Sequence, residues 1–140
     1  MCAVEKACPL VLRQRAGRYE ILAFTHPTAG CQVVKGTIEP GETPEEAACR
    51  ELREESGCVL DTMEPLGTVR IDGGLWHVFA TLSNDLPDTW THQTEYDLGH
   101  AFAFFWYPLE APLDDRWDAL FHALFAQVHA PLSAWLAART

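Results

Sequence analysis

The chain opens with two apolar, partly alternating runs, Ala7 to Arg13 and Tyr19 to Thr25. Such runs predict strands. Arg15-Ala16-Gly17-Arg18 sits between them and reads as the turn of a hairpin. His26 to Gly30 has the composition of a loop, and Cys31 to Val34 is a short strand leading into Lys35-Gly36. The period then changes. After Thr43, the residues Ala48, Cys49 and Leu52 share one face at helical spacing. Thr43 is placed to cap, Pro44 suits the first helical position, and Glu46 stands where a capping-box carboxylate reaches back. Gly57 suits a left-handed stop.

Strands return after this helix. Val59 to Ile71 contains one that ends at the Asp72-Gly73-Gly74 turn, and Leu75 to Leu82 is its hairpin partner. Ser83 to His100 is long, polar and irregular in pattern. Loops of this length are often functional. Ala101 to Tyr107 is a final apolar strand, ended by Pro108. Asp114 or Asp115 can cap a last helix, in which Trp117, Leu120, Phe121, Leu124, Phe125 and Val128 form a buried stripe. His122 and His129 lie off the stripe and read as surface residues. Pro131 breaks or kinks the helix before a Leu132–Ala138 tail. Strands, helix, strands, helix is an α+β order, with helices packed on a mixed sheet. The length suits one domain over 1–140.

Composition narrows the class. An apolar fraction of 48% supports a globular core, yet no apolar run is long enough to span a membrane. The N-terminus lacks the features of a secretory signal. The five cysteines are scattered with no C-x-x-C pair, so zinc and redox motifs have no support. Reduced thiols and a cytoplasmic location are expected. The net charge is −10, and seven of the twenty acids lie between Glu39 and Glu55. No Lys/Arg stripe offers a footprint for duplex nucleic acid. Nothing in the pattern marks an oligomeric state.

The acid cluster is the candidate chemistry. Glu51, Glu54 and Glu55 fall at i, i+3 and i+4 and crowd one stripe of the helix. An acidic helix is commonly just a solvated face. Their mutual repulsion also calls for an offset, and a bound cation is the simplest one. Mg²⁺ takes carboxylate and carbonyl oxygens and keeps waters for a phosphate substrate.

The wider spacing decides between these readings. Gly36, Glu42, Arg50-Glu51-Leu52, Glu54-Glu55 and Gly57 stand at G-x5-E-x7-R-E-U-x-E-E-x-G-U, with U aliphatic. This resembles the Nudix box of the Nudix (MutT-like) hydrolases. The one departure is Cys58 at an aliphatic position, and cysteine behaves as a small hydrophobe. The resemblance implies an α/β/α sandwich with a central mixed sheet. It also implies a metal-dependent hydrolase of diphosphate linkages in nucleoside diphosphates joined to another group. Glu54 and Glu55 would then be the leading ligands of Mg²⁺ or Mn²⁺, with Glu51 a third and the Gly36 carbonyl adding another. Arg50 would orient a carboxylate by a fixed ion pair, and Glu42 would support the loop.

Other roles are assigned more loosely. Glu95 is the candidate for an extra ligand or base outside the box, and the base is left open among it and the box glutamates. Lys35 is a candidate phosphate holder. Trp76 and His77 are neighbours on a strand and point to opposite faces, so one of them can face a pocket. Trp90 or Tyr96 could stack on a base. The plainer alternatives are a packed tryptophan and a surface histidine. The partner is a small nucleotide or diphosphate compound. Pro65 comes too early for the downstream proline of ADP-ribose pyrophosphatases, and Trp76 stands where diadenosine polyphosphate hydrolases show a tyrosine. Nucleoside triphosphates and other diphosphate compounds stay open. The alternatives are a non-catalytic binding module on the same fold and, more remotely, an isoprenoid diphosphate isomerase.

Overall fold

A computed structural model describes residues 4–95 and 99–139. The first hairpin joins β1 (Glu5–Arg15) to β2 (Arg18–His26) in register Arg15↔Arg18. Its two-residue turn places Ala16 at φ 50 and Gly17 at φ 76. Positive φ at both positions matches the twist of the flanking strands. Two short strands follow, β3 (Gly30–Gln32) against β2 and β4 (Gly36–Thr37) against β1. Then come α1 (Pro44–Ser56), β5 (Glu64–Ile71), β6 (Gly74–Leu82), β7 (Trp90–Gln93), β8 (Ala101–Pro108) and α2 (Ala119–Ala137).

The sheet runs β5-β6-β1-β2-β8-β7, with β3 and β4 off this path. Among the described residues the central β1–β6 ladder is parallel and the other ladders are antiparallel. The sheet is therefore mixed, as expected. Alternation along the strands splits its side chains between two cores. On one face Leu10, Leu12, Ile21, Ala23, Val78 and Ala80 pack with Phe121, Leu124 and Val128 of α2. On the other Val11, Leu22, Phe24, Phe79, Phe102 and Phe104 pack with Ala47, Ala48 and Leu52 of α1. One helix on each side of the sheet makes the α+β sandwich.

Several sequence expectations are corrected. The segment Ser83–His100 is not wholly irregular: Trp90–Gln93 forms an edge strand on β8. Its polar residues hid it from pattern reading. The strand expected within Val59 to Ile71 is present as β5, which ends at the predicted turn, while Val59 itself is exposed. The last helix is capped by Asp118, whose side chain accepts from Leu120 N at 2.9 Å. Asp114 is engaged elsewhere, accepting from the backbone and guanidinium of Arg116. Pro131 does not end α2, which continues to Ala137. An interior proline costs about 3 kcal/mol. Beyond it the stripe goes on through Leu132 and Leu136, both buried. Burying each is worth about 1.5–3 kcal/mol, enough to offset the proline.

Leu124 is fully buried between α2 and the sheet. Leu124→Ala is predicted to cost about 2–5 kcal/mol. Chemical denaturation followed by circular dichroism checks this through the midpoint, and an unmoved midpoint would exclude α2 from the cooperative core.

Candidate active site

Helix α1 forms where its sequence says it should. Thr43 Oγ1 accepts from Glu46 N at 3.1 Å, and Glu46 Oε1 accepts from Thr43 N at 2.8 Å. At the other end Gly57 is left-handed, at φ 79, and its N–H donates to Arg53 O at 2.9 Å. Between these caps the helix buries Ala47, Ala48 and Leu52. That fixes its rotation and turns Glu51, Glu54 and Glu55 toward a cavity of about 500 Å³.

Arg50 ties this wall together. Its Nε donates to Glu42 Oε2 at 2.7 Å and its Nη2 to Glu42 Oε1 at 3.0 Å, a bidentate pair. Nη1 reaches Glu51 Oε1 at 2.8 Å and Glu54 Oε2 at 3.1 Å. Nη2 also donates to the Thr37 carbonyl at 3.0 Å, fastening β4 to the helix. These bonds hold the Glu42 carboxyl below its usual pKa. Burial pushes Glu51 the other way, up, against the pull of Arg50.

Gly36 shows how tightly loop and helix meet. A Cβ built there would lie 2.0 Å from the Glu51 carboxyl carbon. No side chain fits between β4 and that carboxylate. The opposite wall is mixed. Lys6 and Lys35 lie toward β1 and β4, while Phe24, His26, Gln32, Thr94 and Phe102 lie toward β2 and β8. His26 Nδ1 accepts from Thr28 N at 3.0 Å, so the neutral ring carries its proton on Nε2.

A family model described as NUDIX domain matches residues 5–135. The chain belongs to the Nudix family. A curated Caenorhabditis elegans relative, "Putative nudix hydrolase 1", is 32% identical over 82 residues. That match takes in 56% of this chain but 22% of the relative, so the chain spans about a fifth of its length. Among solved structures, a C. elegans Ap4A hydrolase has a TM-score of 0.57 at 22% identity, covering 99% of this chain and 100% of that one. The NUDIX domain of Shewanella oneidensis NrtR, solved with ADP ribose, has a TM-score of 0.66 at 17% identity, covering 94% and 90%. At such identities the likeness shows the fold.

In this Nudix chain, Gly36, Arg50, Glu51, Glu54, Glu55 and Lys35 line one cavity. Glu95 does not. It is exposed beside a smaller cavity of about 250 Å³ with Arg53, His92 and Gln93, joined to the first through Glu54. Three candidates lie elsewhere. Trp76 is 2% exposed and packs edge-on to Phe121 at 6.1 Å, on the α2 side. Its position on β6 sends its large apolar ring into that core. His77 faces the other way but pairs with Glu5 Oε1 at 2.8 Å, outside the cavity. Trp90 stacks on Phe104 at 5.0 Å and donates to Ser56 O at 2.9 Å. It sits opposite Phe104 in the β7–β8 ladder, so cross-strand packing claims its ring. Tyr96 lies outside the described residues.

Pattern reading missed Lys6, Phe24, His26, Gln32, Thr37, Thr94 and Phe102. Alternation on β2 could have put Phe24 and His26 on the face of Leu22. Nothing local joins Phe102 or Thr94 to them.

The residues that could hold a cation are Glu51, Glu54 and Glu55. Their all-oxygen donor set, desolvated at Glu51 and closely abutted by the Gly36 backbone, suits a hard divalent ion. Among the described residues, no three acidic, histidine or cysteine side chains already stand together as a metal site. Arg50 engages one oxygen each of Glu51 and Glu54.

Two predictions follow from this geometry. Gly36→Ala should displace Glu51 and weaken divalent-cation affinity at least about tenfold, the worth of one charged contact. Calorimetric titration with Mn²⁺ measures it, and wild-type affinity would contradict the close approach. Arg50→Lys keeps the charge but loses the fork, at a cost of about 1.5–3 kcal/mol. Its pH dependence has a definite sign. Glu42 has a lowered folded pKa, so its contribution is full above the ordinary carboxylate range and fades as pH falls toward the folded value. Glu51 is raised and acts with the opposite sign, between the ordinary glutamate value and its own raised one. Below the ordinary range it is protonated in both states, so the acid limb reports Glu42. Wild type should lose stability more steeply there than Arg50→Lys, read from denaturation midpoints.

Proposed function

We propose that this chain hydrolyses diphosphate linkages in nucleotides, using Mg²⁺ or Mn²⁺. One observation carries the reading: a single cavity is walled by Glu51, Glu54 and Glu55 on one side and by Lys6 and Lys35 on another. The family membership and the nucleotide-related names of the structural neighbours support it. The cation would be held by Glu51, Glu54, Glu55 and the Gly36 carbonyl. When bound it offsets charge on the phosphate oxygens and lowers the pKa of water.

The protein's own groups do the rest. Lys35 holds a phosphate oxygen by charge. Arg50 keeps the carboxylates oriented through its bonds to Glu42, Glu51 and Glu54. The oxygen of a water bonds to one phosphorus, and the bridging P–O bond breaks. Its electron pair departs with the leaving phosphate, and the water's proton passes to a carboxylate. That base is one of Glu51, Glu54, Glu55 and Glu95, of which Glu95 stands outside the main cavity.

The test is a panel of nucleotides and diphosphate conjugates with Mg²⁺ or Mn²⁺, with products identified by mass. Glu54→Gln and Glu55→Gln should each lower turnover by about 100-fold or more, in the range of a lost acid–base group. Chelator should abolish it. Full turnover in either variant would sink the assignment. Tight nucleotide binding with no phosphate or pyrophosphate released would favour the binding-module alternative.

A further inference from the structure

We propose that Trp90 is a positioning residue for the cation site: its indole N–H fastens the last turn of α1, which carries Glu54 and Glu55, to the edge strand β7. This rests on the hydrolase reading above and adds to it a residue that touches neither cation nor substrate.

The last turn of α1 is its weakest part. The helix ends at Ser56, so the carbonyls of residues 53–56 have no partner within it. The helix dipole is negative at that end and opposes carboxylates there. Glu54 and Glu55 stand in this turn all the same. Arg50 reaches Glu54 from one turn earlier, while the ties at Thr43 and Glu42 lie farther back. The end is held by three further contacts. Gly57 N–H donates to Arg53 O at 2.9 Å. Ser56 Oγ donates to Leu52 O at 2.5 Å and accepts from Cys58 N at 3.1 Å. Trp90 Nε1–H donates to the Ser56 carbonyl at 2.9 Å. The first two are made by the helix end itself. The third comes from another element, thirty-four positions along the chain.

Strand β7 is built to present that donor. Trp90 lies opposite Phe104 in the ladder, and the two rings stack at 5.0 Å and 6°. Phe104 is itself buried, with Phe24 5.1 Å away. The indole thus cannot swing off the Ser56 carbonyl without unstacking. His92 shares the face of Trp90. It covers the cap, since a Cβ on Gly57 would lie 2.9 Å from its Nδ1. Thr94, two residues on, lines the main cavity, and both its N–H and its Oγ1 donate to His100 O at 3.1 Å. The β7 segment therefore runs from the end of the glutamate helix to the cavity wall, and Trp90 is the joint. Breaking it frees the last turn, and with it the spacing of Glu54 and Glu55 from Glu51. Groups that orient metal ligands from behind are worth about 10- to 100-fold in affinity.

Trp90→Phe keeps an aromatic ring beside Phe104 and removes the donor. Trp106→Phe is the matched control, because that indole N–H donates at 2.9 Å to Pro87 O, a carbonyl outside α1. Calorimetric titration with Mn²⁺ alone should show affinity about tenfold lower in Trp90→Phe and unchanged in Trp106→Phe, although each sheds an indole and one hydrogen bond. A second readout uses the wild-type chain. If opening the joint weakens cation binding about tenfold, linkage requires bound cation to disfavour opening by the same factor. Solvent exchange of the Trp90 indole N–H, followed by NMR, should therefore slow about tenfold relative to that of Trp106 on saturation with Mg²⁺. Wild-type Mn²⁺ affinity in Trp90→Phe, an equal loss in Trp106→Phe, or a Trp90 exchange rate indifferent to Mg²⁺ overturns the proposal. A wild type that takes up no Mn²⁺ overturns both this and the hydrolase reading. Affinity lost selectively in Trp90→Phe, with no nucleotide of the panel hydrolysed by wild type, supports the joint and overturns the hydrolase reading alone.

Discussion

One guanidinium holds the acidic side of the site together. Arg50 binds Glu42 through two nitrogens, touches Glu51 and Glu54 with a third set of bonds, and reaches the Thr37 carbonyl. Without a fixed cation there, three carboxylates on adjoining surfaces would repel one another, and the loop before α1 would lose its tie to the helix face at Thr37 and Glu42. Arginine suits the task because it stays charged and presents a rigid fork. Its grip also decides how Glu51 lies against Gly36, where a methyl group would collide with the carboxylate. The glycine, the arginine and the glutamates are thus one mechanical unit.

The sheet separates that unit from the bulk of the stabilising core. Its α2 face packs large side chains from both hairpins against a nineteen-residue helix. Its α1 face packs a smaller set, capped by Trp90 and Trp106. Trp106 is itself held in place, donating to Pro87 O at 2.9 Å, with the Arg13 guanidinium 4.4 Å over its ring. The aromatic residues first read as possible ligand contacts belong mostly to this packing. Trp76 serves the α2 core and Trp90 the end of α1. The aromatic groups that do face the cavity, Phe24 and Phe102, looked like ordinary core in the chain.

Where reading by pattern worked, the information was local. Thr43, Pro44 and Glu46 set the start of α1 within one turn, Gly57 alone sets its end, and its extent follows. Where it failed, distant contacts overruled a local rule. Pro131 is a helix breaker in isolation, yet Leu132 and Leu136 find buried places on the sheet and carry the helix past it. Trp90–Gln93 has a weak strand pattern, yet the free edge of β8 supplies partners for it. His77 is a plausible pocket residue until Glu5, seventy-two positions away, takes its ring nitrogen.

By itself the sequence determined the acidic helix, its caps, the spacing of Glu51, Glu54 and Glu55, and the family to which they belong. A helix repeats its geometry every turn, so intervals of three and four residues suffice to place side chains on one face. Only the tertiary structure decided what those glutamates look across at. Lys6, His26 and Phe102 come from β1, β2 and β8, and their meeting depends on strand order and register. Those are set by long-range pairing and by burial on both faces of the sheet, and no interval along the chain encodes them.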